Sequence, residues 1–156
     1  MTLSNAVLSF AAPGGALAER QTADRILACN EATMPYGLAL TEPQALALAQ
    51  TRMDALRGTR RIEWGDGIVG ALIETFCTSP YILPENYEDT LHELIGLFYT
   101  LKNDTQDRVS DGDLLAFLKT AFDSSCRGSL DRLSGAALRL SAHIRRGRAL
   151  ETFREE

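Results

Sequence analysis

The sequence predicts an all-α protein, a compact bundle of about six helices with at most one short two-stranded ribbon. Three observations carry that prediction. Apolar residues recur at steps of three and four in segment after segment, the spacing that lines one face of a helix. Ser, Thr or Asp stands at the head of most of these segments, and Gly or a Pro-containing turn closes them. Strand-like pieces are confined to Leu38–Leu40 and Ile62–Trp64, too little for a sheet but enough for a ribbon at one end. The chain has 156 residues, 45% of them hydrophobic and 24% charged, which is the composition and length of one globular domain. Only residues 1–12 and 150–156 look loosely tied down.

The first helix is expected over residues 16–32, ending before Pro35 and Gly37. Thr41-Glu42-Pro43-Gln44 has the form of a capping box, and Leu46, Ala49, Met53 and Leu56 then mark one face as far as a stop at Gly58. After the extended stretch, Asp66 can cap a helix whose Ile68, Val69, Leu72, Ile73 and Phe76 make a broad stripe. Tyr87, Leu91, Leu94, Ile95, Phe98 and Leu101 define the next helix, with acids in its first turns and Lys102 at its end, as the helix dipole favours. Ser110 and Asp113 form a second cap ahead of Leu114, Leu115, Phe117, Leu118, Ala121 and Phe122, with a stop at Cys126-Arg127-Gly128. Ser129 opens the last helix, where Leu130, Leu133, Ala137, Leu140 and Ile144 keep the spacing of a helix-packing seam.

Composition excludes several function classes. A net charge of -5 has the wrong sign for a chain that coats nucleic acid or anionic lipid as a whole, so such partners are left only to a local patch. Fourteen of the 16 Lys and Arg residues are arginine, scattered among acids. Cys29, Cys77 and Cys126 lie far apart, without the paired spacing of a zinc or redox motif, and read as buried free thiols in a reducing cytoplasm. No apolar run reaches the length of a membrane span, and the short run Ala6–Ala12 lacks the basic flank of a secretion signal.

The chemical motifs are all incomplete. Gly65-Asp66-Gly67-Ile68-Val69-Gly70 satisfies G-x-G-x-x-G between an extended stretch and a helix, but the parallel sheet of a dinucleotide fold is missing, so the glycines read as a turn with Gly70 allowing close helix approach. His92-Glu93 opens like a zincin motif and has Gly96 where the second histidine belongs, and Asp89 with His92 is half of a di-iron pattern. Residues 107–118 imitate a calcium loop with Val109 and Leu118 at ligand positions. No metal and no cofactor are therefore expected. Cys77 and His92 flank the turn 78–85, where Tyr81, Tyr87 and Tyr99 are expected either to line a small pocket or to cover the end of the core. The last helix carries Arg132, Arg139 and Arg146 at heptad spacing with Arg145 and Arg148 beside them, whereas residues 85–113 hold eight acids and two bases. Faces of opposite sign suit docking, within the chain or between copies.

Asn30-Glu31, Tyr36-Gly37-Leu38 with Leu40-Thr41, Phe76-Cys77 with Ser79-Pro80-Tyr81, Leu97-Phe98-Tyr99 with Lys102-Asn103, Ser110-Asp111 and Gly128-Ser129-Leu130 together resemble the recurring blocks of a family of small bacterial proteins of unknown function, over residues 25–145. The resemblance implies a cytoplasmic, mostly helical bacterial protein and assigns no catalytic residue. The leading expectation is a non-enzymatic module that binds a protein partner or its own copy, with Arg132, Arg139, Arg145, Arg146 and Arg148 as its interaction surface and no membrane involved. The alternative is a small-molecule site or enzyme at Cys77, Tyr81, Tyr87, His92 and Tyr99. Nucleic acid bound through Arg139–Arg148 ranks third.

Overall fold

The computed structural model describes residues 13–65 and 67–154. They form six helices: α1 (Pro13–Ala28), α2 (Glu42–Thr59), α3 (Val69–Phe76), α4 (Tyr87–Asp104), α5 (Asp111–Asp123) and α6 (Leu130–Arg145). A helical turn, Asn30–Thr33, continues α1 after a break at Cys29. α4 lies at the centre, packed against α2, α3, α5 and α6, while α1 closes over α2 and α3.

The capping signals work as their chemistry requires. Gln44 N–H donates to the Thr41 hydroxyl at 3.3 Å, and the Gln44 side chain accepts from Thr41 N–H at 2.8 Å. The Ser110 hydroxyl accepts from Asp113 N–H at 3.1 Å, and the Ser129 hydroxyl from Arg132 N–H at 3.2 Å. Each satisfies a first-turn donor that would otherwise be orphaned. The stop after α5 depends on geometry: Arg127 and Gly128 both have positive φ, and a Cβ on Gly128 would stand 2.5 Å from the Tyr81 Cβ. Asp66 lies outside the described residues.

The α4, α5 and α6 stripes are buried as spaced, with Leu91, Leu94, Phe98, Leu114, Leu118, Leu133 and Leu140 sealed from solvent. The α2 stripe holds in part: Ala49 and Leu56 are buried and Met53 packs against the core, but Leu46 does not join them. Its buried face is Ala45, Leu48, Ala49, Arg52 and Leu56, with Leu46 exposed and an arginine at a core position. The ribbon does not form either: no strand occurs among the described residues. The Asn30 side chain takes both backbone groups of Leu40, its Oδ1 accepting from Leu40 N–H and its Nδ2 donating to Leu40 O, each at 2.9 Å. Ile62 and Trp64 face solvent and have no layer to pack on.

The C-terminal stretch is more firmly held than its composition suggests. A 3-10 turn, Leu150–Thr152, brings Phe153 edge-on to Phe117 and to the His143 ring. His143 Nε2 lies 2.8 Å from Ala149 O and 2.9 Å from Thr152 Oγ1. Residues 155–156, like 1–12, lie outside the described residues.

Candidate functional site

The five candidate pocket residues fall in different places. Cys77 is buried at the end of α3, its thiol donates to Glu74 O at 3.3 Å, and burial pushes its pKa up. Ser79 Oγ donates to Asp123 at 2.6 Å and accepts from Tyr81 N–H, while the Tyr81 ring stands edge-on to Phe122. This turn seals the end of the core against α5. Tyr87 is buried beneath it, and its hydroxyl makes no hydrogen bond of good geometry among the described residues. Burial pushes its pKa up to about 12, against a small opposing effect of Thr33.

His92 faces another way. Its Nδ1 lies 2.6 Å from Thr51 Oγ1 on α2, and its Nε2 lies 3.1 Å from Glu88. Both ring nitrogens are thus occupied by partners other than Cys77. An activated nucleophile needs a base in reach or a depressed pKa, and the Cys77 thiol has neither. Cys29 is similar: Arg25 Nη1 donates to its sulfur at 3.0 Å, yet burial outweighs the cation and raises the thiol to about 11.

Tyr99 belongs to a buried cluster that the apolar pattern did not reveal. Arg52 is 1% exposed and uses its whole guanidinium: Nε donates to Glu63 at 2.9 Å, Nη1 to Thr22 Oγ1 at 2.9 Å, and Nη2 to Gly65 O at 3.1 Å. The Tyr99 hydroxyl donates to the same Glu63 oxygen, and burial together with that bond raises its pKa far above the ordinary value. The glycine motif serves this cluster. Gly65 supplies a carbonyl to Arg52, and a Cβ on Gly67 would fall 1.8 Å from Glu63 Oε1. Gly70 lets the Arg25 side chain cross α3, where a Cβ would stand 2.7 Å from its guanidinium carbon. All three glycines answer to side chains of the chain itself. The only sequence signal for the cluster was an arginine in phase with Leu48 and Leu56.

An apolar-floored groove of about 510 Å³ runs between α4 and α6. These helices run parallel, since Leu130 and Asp131 share a hollow with Asp89 and Glu93 while Arg145 Nε donates to Asp104 O at 3.1 Å. Leu97, Leu101, Leu130, Ala137 and Leu138 make an apolar floor, and Gly96 leaves open space where a Cβ would meet nothing within 4 Å. Leu138 is 64% exposed. Asp89 and Glu93 stand exposed on the α4 side, and Arg132, Arg139 and Arg146 are exposed on α6. Arg145 spends part of its charge within the chain, on Asp104 at 3.7 Å. Arg148 is exposed in the tail beyond α6.

No group of three or more His, Cys, Asp or Glu side chains among the described residues is arranged to hold a metal ion. No helix of the described residues is long and apolar enough to cross a membrane.

Fold and groove together define an all-α helical bundle with a solvent-open, apolar-floored seam between α4 and α6 and a buried polar cluster around Arg52. The chain belongs to a family of unknown function, DUF6323, whose pattern it matches over residues 25–150. No curated protein and no solved structure matches it.

Proposed function

We propose that this protein is a protein-interaction module without chemistry of its own, and that the α4–α6 groove is where it docks, its own second copy being the partner that fits. The observation that carries the reading is the groove itself: an apolar floor, with exposed Leu138 at its edge, beside the exposed acids Asp89 and Glu93 of α4. Large exposed apolar residues framed by charge mark association surfaces, and a chain that carries both an acid-edged groove and exposed arginines elsewhere can offer the second to the first in a copy of itself.

Sedimentation velocity over a range of protein concentrations tests it, at low and high salt. The wild type should associate, and more weakly as salt screens the charges. Filling the groove with Gly96→Phe should abolish association while leaving circular dichroism unchanged, because that side chain enters open space. A wild type that stays monomeric, or association untouched by the filled groove, would remove the reading.

A further inference from the structure

The loop after α2 inverts the usual rule of burial. Ile62 is 84% exposed and Trp64 is 89% exposed, while Glu63 between them is drawn inside by Arg52 and Tyr99. In an extended stretch neighbouring side chains point to opposite sides, so fixing Glu63 inward throws its two apolar neighbours outward. Burying a carboxylate in order to display an isoleucine and a tryptophan does nothing for the core. An exposed apolar pair and a buried charge are the observations that call for a partner.

The loop is held in shape, since Arg52 binds Gly65 O and Gly67 N–H donates to Trp64 O at 3.2 Å. Exposed Arg57 and Arg60 stand at its root. It is therefore an apolar knob with a cationic collar. The α4–α6 groove is its complement, an apolar floor beside Asp89 and Glu93. The knob cannot enter its own groove, because Glu63 ties it to the α2 side of α4 and the groove opens on the α6 side.

Resting on the docking groove proposed above, we infer that its ligand is the Ile62–Trp64 knob of a second copy, with Arg57 and Arg60 meeting Asp89 and Glu93. The contact is heterologous, so each copy offers one knob and one groove and copies join head to tail. Tryptophan and arginine are the side chains that most often dominate such contacts.

Trp64 is the chain's single tryptophan and reports on its own burial. In the wild type its emission should move to the blue as protein concentration rises. Trp64→Ser, which removes only an exposed side chain, should weaken association roughly thirtyfold or more. Gly96→Phe should do the same from the other side. An equimolar mixture of the two variants still contains one intact knob and one intact groove, and should form a dimer and nothing larger. If the mixture stays monomeric, or if Trp64→Ser associates like the wild type, the knob is not the ligand. In that case loss of association in Gly96→Phe alone would leave the groove standing as the docking site. A blue shift on adding phosphatidylglycerol vesicles, with none on raising protein concentration, would assign the knob to an anionic lipid surface and overturn the inference.

Discussion

Replacing Arg52 with methionine removes the one buried arginine or lysine among the described residues while keeping much of its length. The Glu63 side chain is 13% exposed and would be left charged with only the Tyr99 hydroxyl beside it, while Thr22 Oγ1 and Gly65 O lose their donors. Breaking a buried ion pair from one side costs about 3 to 5 kcal/mol, against a total stability of about 5 to 15. For a chain of this size that is a fall in Tm of roughly 6 to 20 °C. Replacing both partners, Arg52→Met with Glu63→Gln, removes the stranded charge and keeps an acceptor for Tyr99, so most of the loss should be recovered. Thermal and urea melts of the wild type, both single variants and the double variant close a mutant cycle. A loss below about 1 kcal/mol for Arg52→Met, or a double variant no better than that single one, would refute the claim that the ion pair organises this part of the core.

Leu94→Asp puts an unpaired carboxylate at a fully buried position on the central helix and should unfold the domain, whereas Glu88→Ala loses a half-exposed contact to His92 and should cost under about 1 kcal/mol; circular dichroism melts rank the two. Gly67→Ala should destabilise by about 1 to 3 kcal/mol, since the position has φ +61° and its Cβ would collide with the Glu63 carboxylate, and the same melts read it. Stability should also fall in alkali. The Cys29 thiol is raised from 9.0 to about 11, so its contribution is complete below pH 9 and is lost as pH climbs to 11. The slope of stability against pH over that window should be shallower in Cys29→Ser.

The identity of the elements was legible in the chain because helix formation is governed by local terms: the step of three and four, a hydroxyl at the N-cap, a glycine at the stop. Thr41, Ser110 and Ser129 cap the helices that their positions announce, and Leu91, Leu94 and Phe98 are buried where their spacing places them. What local pattern could not show was which partner satisfies a group distant in sequence. Arg52 reads as a solvated residue until Thr22, Glu63 and Gly65 converge on it, and that convergence accounts for the glycines in the loop beyond. The supposed ribbon is absent in the same way: Asn30, distant in sequence, takes both backbone groups of Leu40. The groove, too, exists only once α4 and α6 lie parallel, because Gly96 and Leu138 carry no signal until the gap between two helices gives them a shared function. Pairing of polar groups and the shape of unfilled space are properties of the folded chain, and the tertiary structure alone decides them.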